Sequence, residues 1–219
     1  MNRVLSMLAC TAILALPTFA AHASYAEHEE ARHFIAEMVR THGLDEAELR
    51  SVLDRTERLD RVIELIRPPA TRPGGERSWV RYRDRFLNDA RIENGLDFWF
   101  EHRATVDAAS RRFGVPPEFI VAIIGVETHY GRHTGNFQTV NALATLAFDY
   151  PPRAPLFRRE LENLLLLANE QQRDPFSYYG SYAGALGYPQ FLPSSVRAYA
   201  VDFDGDGRID FESGPADAI

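Results

Sequence analysis

Residues 115–131, VPPEFIVAIIGVETHYG, leave little choice of local structure. Two prolines stand where a helix can open without losing hydrogen bonds, an apolar run comes next, and Gly131 offers a stop. Counted in helical steps, Ile120, Ile123, Ile124 and Glu127 share a face, so the acid points where the isoleucines point. A carboxyl desolvated in this way has its ionised form disfavoured and can give and take protons near neutral pH. Two readings fit. Glu127 transfers protons, or it is a helix-end acid that turns to water or pairs with Arg132 and does no chemistry.

The chain around this segment has 219 residues, 45% apolar and 25% charged, which suits a globular protein with one large core or two small ones. Its net charge of -7 argues against a nucleic-acid partner, which would need a basic face. Asn2 and Arg3 precede an almost wholly apolar run over residues 4–19, and Ala21-His22-Ala23 has the small-x-small pattern of a signal-peptidase site. Residues 1–23 are therefore expected to be an export signal, too short and wrongly flanked to span a membrane. Its removal takes away Arg3 and no acid, so the charge moves from -7 to -8. Cys10 leaves with it; as a lipid-attachment site it would stand too early, with apolar residues still following. The mature chain then lacks cysteine and must be held by its core or by a metal.

Helical patterning dominates the mature chain. Apolar residues from Ala31 to Val39 predict a helix over residues 25–42, closed by Gly43. Asp45, Glu48 and the flanking Leu44 and Leu49 form a start signal for a helix reaching Arg55, and a shorter one is expected at 59–66. The Pro/Gly-rich loop 67–75 marks a boundary between an N-terminal helical region, 24–75, and a core region, 76–219. In the latter, Trp79, Tyr82, Phe86 and Leu87 fall at helical spacing over 76–92 and read as a core-facing stripe. Asn94-Gly95 is expected to break that run, and a helix over 96–113 to turn Phe98, Trp99, Val106 and Ala109 inward. Helices at 140–148 and 156–172 flank a proline-rich turn at 150–155. Strand alternation is nearly absent, so the fold class is mainly α.

Two later segments differ. Residues 177–195, SYYGSYAGALGYPQFLPSS, interleave Gly, Ser, Tyr and Pro, which suits either a groove for a sugar or peptide or a structural turn. Residues 202–210, DFDGDGRID, match the start of an EF-hand loop. Asp202, Asp204 and Asp206 fall at positions one, three and five, Gly207 is the sixth residue of the run and the Arg208 carbonyl comes next as the backbone ligand. Position twelve is not the usual glutamate, and Asp217 is favoured over Glu212 to close a stretched loop around a structural calcium ion.

GVETHYG at 125–131, NALATLAFDYPPRA at 141–154, GSYAGALGYPQFLPSS at 180–195 and YAVDFDGDGRID at 199–210 together resemble the lytic murein transglycosylases of the MltB type, including their soluble form. The resemblance runs in order from about Trp79 to the last residue. It implies a lysozyme-like helical core with an EF-hand-like calcium loop at 202–217 and no organic cofactor. It also implies cleavage of the MurNAc–GlcNAc bond of peptidoglycan without water, leaving 1,6-anhydromuramoyl ends. Glu127 matches the family's single acid/base, and Ser181 and Gln190 match polar residues that hold the sugar. Tyr82 matches an active-site tyrosine, Arg153 a contact to the peptide stem. A standard glycosidase needs two carboxylates; the best second candidate is Asp149, which reads better as a cap. With the export signal, the reading is a periplasmic monomer acting on peptidoglycan glycan strands; the sequence leaves open whether it meets other cell-wall machinery. Because the family continues through further helices, the chain is expected to be C-terminally truncated, with an incomplete groove. A lysozyme-like hydrolase and a non-catalytic peptidoglycan-binding scaffold are the alternatives.

Overall fold

A computed structural model describes residues 24–68 and 78–219. The expected export signal over 1–23, with Cys10, and most of the loop at 67–75 lie outside the described residues. Among the described residues the fold is mainly helical, and no helix is long and apolar enough to cross a membrane.

After a 3-10 turn at Tyr25–Glu27, α1 (Glu29–His42) ends where left-handed Gly43 (φ 67°) donates its N–H to Val39 O. The second helix, α2 (Glu46–Arg55), starts at Asp45, whose carboxylate accepts from Glu48 N at 2.9 Å. A short α3 (Asp60–Ile66) comes after it.

The centre of the molecule is α8 (Thr139–Asp149), in which every residue from Thr139 to Phe148 is buried. A helix enclosed on all sides satisfies most of its polar groups internally, and here the Thr139 hydroxyl is left without a partner among the described residues. Asn141 Oδ1 accepts from Glu57 N at 3.1 Å, and Thr145 Oγ1 accepts from Leu59 N at 3.0 Å, so the α2–α3 connection is fastened to α8. Against α8 lies α9 (Ala154–Glu170), which buries Leu161 and Leu164, and α1 adds Phe34, Ile35 and Met38 to the same core. Each such side chain contributes about 1.5–3 kcal/mol by leaving water. The last helix, α10 (Pro193–Tyr199), begins over Glu160 of α9, which is 1% exposed and accepts from Ser194 N at 3.0 Å and Ser194 Oγ at 2.9 Å. Two residues each form the antiparallel pair β1 (Phe137–Gln138) and β2 (Tyr179–Gly180).

A smaller cluster joins α5 (Asp89–Glu101), α6 (Arg103–Phe113) and α7 (Pro117–Thr128) through Phe98, Val106, Val121 and Ile124. Three expectations change here. The run over 76–92 is not one helix: α4 (Trp79–Arg83) stops early, and Asn88 caps α5 by accepting from Arg91 N at 3.0 Å. Trp79, Tyr82 and Leu87 consequently remain exposed rather than entering the core. Asn94-Gly95 lies inside α5 instead of breaking it, because Gly95 is where the Tyr130 ring closes on the helix. A Cβ there would stand 2.5 Å from the Tyr130 hydroxyl oxygen. Finally, the chain bends at His102 (φ -106°, ψ 21°), so the expected 96–113 helix is divided between α5 and α6.

Candidate active site

The helix that carries Glu127 ends at Thr128, three residues before Gly131. His129 (φ 54°) and Tyr130 (φ 59°) are both left-handed, as is Gly131 (φ 81°) after them. For residues with a Cβ this conformation costs roughly 1–2 kcal/mol each, so the surroundings must hold it. His129 N donates to Gly125 O at 3.2 Å and Tyr130 N to Ile124 O at 3.3 Å. The Tyr130 ring fits between Gly95 and Gly125, and its hydroxyl donates to Arg91 O at 3.1 Å. Burial pushes that hydroxyl above its ordinary value, against the opposing charge of Arg91.

Glu127 differs from its sequence reading. The buried stripe of α7 runs through Ile120, Val121, Ile124, Gly125 and Thr128, and Glu127 stands at its edge, exposed. Ile123, expected to desolvate it, is 55% exposed, and Val126 beside it is exposed too. The stripe turns by roughly 100° per residue, and the next inward position after Ile124 and Gly125 is Thr128. Nor does Glu127 pair with Arg132, whose Nη2 donates to Asn94 Oδ1 at 2.7 Å. His129 Nε2 is 3.1 Å from Asn94 Nδ2. Partial burial, then the charges of Arg91, Arg132 and His133, hold the His129 imidazole below its ordinary value.

The glycine-rich segment is bound to this helix end. The Thr128 hydroxyl lies 3.0 Å from Tyr188 O and accepts from Gly131 N at 3.0 Å, while the Tyr188 ring packs where a Cβ on Gly131 would stand. Gln190 (φ 51°) uses its amide nitrogen on Thr134 O and Gly187 O, both at 3.0 Å, which leaves its side-chain oxygen as the acceptor. Ser181 is half-buried, its hydroxyl accepting from Ala185 N at 3.1 Å. These contacts place Ser181 and Gln190 on one segment that the residues after Glu127 anchor. Tyr82 reaches the same helix end through neighbours: its ring is 5.3 Å from Phe86, Arg91 lies over Phe86 at 5.3 Å, and Arg91 Nη1 donates to Gly125 O at 2.7 Å. Arg153 is held elsewhere, exposed at the start of α9 with its guanidinium 5.4 Å from the Phe157 ring. Asp149 accepts from Tyr25 and pairs with Arg58 at 3.3 Å, at the far end of α8.

Sequence reasoning passed over Thr128, Tyr130 and Tyr188, which join these pieces. Their signal was the glycines: Gly95, Gly125 and Gly131 are each needed because a tyrosine ring occupies the space of their missing side chain.

In the acidic loop, Asp202, Asp204 and Asp217 bring ligand oxygens within 4.8 Å of one another. Gly205 (φ 78°) and Gly207 (φ 89°) make the turn, and Asp217 accepts from Phe203 N and Asp210 N, both at 2.8 Å. Glu212, the rival for closure, is instead bound to Arg173 and to Tyr179 N. Asp206 accepts from Arg208 N at 2.8 Å and stands outside the three-carboxylate group.

The chain is similar to known proteins in sequence and in fold. Residues 26–219 match the family model described as the transglycosylase SLT domain. The chain is 44% identical over 204 residues to membrane-bound lytic murein transglycosylase B of Escherichia coli (strain K12), covering 89% of this chain and 55% of that protein. It superposes on the soluble lytic transglycosylase SltB1 of Pseudomonas aeruginosa with a TM-score of 0.82 at 50% identity, over 86% of this chain and 63% of that one. For the E. coli lytic transglycosylase Slt35 in complex with calcium the TM-score is 0.80 at 45% identity, over 89% and 61%. The chain thus spans between 55% and 63% of the length of these relatives. With a match over residues 26–219, a range that includes α7, the glycine-rich segment and the acidic loop, the chain belongs to the transglycosylase SLT domain family.

Proposed function

We propose that this chain carries the catalytic core of a peptidoglycan lytic transglycosylase, exported to the periplasm, that cleaves the MurNAc–GlcNAc bond non-hydrolytically. One observation carries the reading. At and just beyond the end of α7, the side chains of Thr128, Tyr130, Arg132, Arg91 and Gln190 all have partners, whereas the Glu127 carboxyl makes no hydrogen bond or ion pair among the described residues. A carboxyl left free while these polar side chains are engaged is available to a ligand.

The chemistry needs one such group. Glu127 in its acid form donates its proton to the glycosidic oxygen as the bond to the muramoyl anomeric carbon breaks. The sugar's own 2-acetamido oxygen bonds to that carbon, replacing the second carboxylate that most glycosidases use. Glu127, now a carboxylate, takes the proton of the sugar's O6 as O6 displaces the acetamido oxygen. No water is consumed, and the two products together have the mass of the substrate. Asp149 is no substitute for a second acid: it is occupied by Tyr25 and Arg58, about 15 Å along α8 from the Thr139 end. A glycan lying over exposed Ile123 and Val126 strips water from Glu127 and favours O6 over water as the acceptor. Ser181 and the free oxygen of Gln190 orient that sugar, Tyr82 extends the contact, and Arg153 meets the peptide stem.

The donor set of the acidic loop fits calcium, a hard cation that takes oxygen ligands. Asp202, Asp204 and Asp217 would hold it, with Asp206 and the Arg208 carbonyl completing the loop, and its role would be to clamp residues 202–217. Mass spectrometry of products released from purified sacculi tests the reaction. Anhydro ends are expected; reducing ends heavier by one water would make this a hydrolase, and binding to sacculi without product would make it a scaffold.

A further inference from the structure

Trp79 opens α4, a helix with no buried residue. Its ring centroid lies 5.9 Å from that of Tyr82 at an interplanar angle of 29°, a stacked pair in which Trp79 is 69% and Tyr82 55% exposed. The pair is continuous with the site already described, through Phe86 and Arg91 to the carbonyl of Gly125, two residues before Glu127. For the fold this placement gains little. At about 25 cal/mol per Å² of apolar surface, two such rings would stabilise a core, yet α4 turns them outward against each other. What they offer is a flat, rigid face with polar groups at its rim. The C–H faces of pyranose rings lie on such a surface while their hydroxyls reach the edge, and Trp79 is the outermost ring of the line of contacts that runs from Gly125 through Arg91, Phe86 and Tyr82.

We propose that Trp79, stacked on Tyr82, forms an outer glycan subsite that holds a sugar of the strand beyond the pair on which Glu127 acts. The ligand class rests on the transglycosylase reading; the position of the subsite rests on the stack and its continuity with α7.

The consequence is a dependence on strand length. Titration calorimetry in a Glu127→Gln background, with the MurNAc–GlcNAc disaccharide and a GlcNAc–MurNAc tetrasaccharide, reads it directly. Trp79→Ala should weaken tetrasaccharide binding about three- to tenfold, the contribution of one aromatic contact, and leave the disaccharide within about twofold. Trp79→Phe should restore most of the loss, and the thermal midpoint of Trp79→Ala should match the parent because α4 buries nothing. Equal affinities with and without Trp79, or an equal loss on both oligosaccharides, would overturn the subsite. Concentration-dependent self-association that disappears in Trp79→Ala while glycan binding stays unchanged would also overturn it, making the face a contact between copies. Trp79-dependent binding by a chain that releases no anhydro product would refute the transglycosylase reading and leave the subsite standing. Turnover with binding indifferent to Trp79 would do the reverse.

Discussion

The ring of Tyr130 occupies the place of the side chain that Gly125 lacks: a Cβ on Gly125 would lie 2.6 Å from three of its atoms. That contact fixes the end of α7 and therefore the direction in which the chain leaves Glu127. Gly125→Ala forces the ring out of its slot and should cost about 1–3 kcal/mol, as overpacking does. Tyr130→Phe keeps the packing and loses the bond to Arg91 O, for about 1 kcal/mol. Urea unfolding of the two variants should rank them in that order.

Glu160 should prove to be a structural acid. Its carboxylate accepts both the N–H and the hydroxyl of Ser194 while 1% exposed. Glu160→Leu leaves two donors at the start of α10 unpaired and should destabilise the chain by about 2 kcal/mol or more, whereas Ser194→Ala removes one of the two bonds and should cost less. Chemical denaturation of both variants checks the difference.

Calcium should raise the thermal midpoint. A cation at a hundredfold excess over its dissociation constant adds about 2.7 kcal/mol, which for a chain of this size is about 5–10 °C. Chelator should reverse the gain. Asp217→Asn should abolish the response, and Glu212→Gln, altering a residue bound to Arg173 and Tyr179, should preserve it. Scanning calorimetry with and without chelator measures all three.

Acidification should weaken the folded state through His129. Its imidazole is held below the ordinary value in the fold and returns to about 6.5 on unfolding, so the unfolded chain takes up the proton first. The stability contributed by neutral His129 is present above that value and is lost as pH falls below it through the lowered value of the folded state. Urea midpoints measured from about pH 7.5 to about pH 5.5 should therefore fall more steeply for the parent than for His129→Asn, a residue that tolerates the left-handed conformation.

Much of the fold could be read from the sequence because its signals were local. Gly43, Asp45 and Gly114 mark helix ends by their own conformation or hydrogen bonds, and the structure uses each of them as such. The misreadings share a different cause. Gly95 resembles a helix breaker until the Tyr130 ring from a distant segment is seen to need its space, and Glu127 resembles a buried acid until the neighbours of α7 select which side faces inward. Trp79 and Tyr82 have core-like spacing, but α4 ends before it can carry them to a core. Asp217 is favoured as the closing ligand because Glu212 falls one residue early and Ser213, at position twelve, has no carboxylate; that Glu212 is committed to Arg173 is a tertiary fact.

The proposed reaction depends most on Glu127, and its replacement by glutamine is the most direct trial. Glutamine keeps the size and polarity of the side chain but can neither donate the acidic proton nor accept one. Release of anhydro-muropeptides from purified sacculi should fall at least about a hundredfold, consistent with the loss of general acid–base catalysis, while the unfolding midpoint stays within about 0.5 kcal/mol of the parent because the side chain is exposed and unpaired. Undiminished release by Glu127→Gln would contradict the assignment of Glu127 as the acid/base.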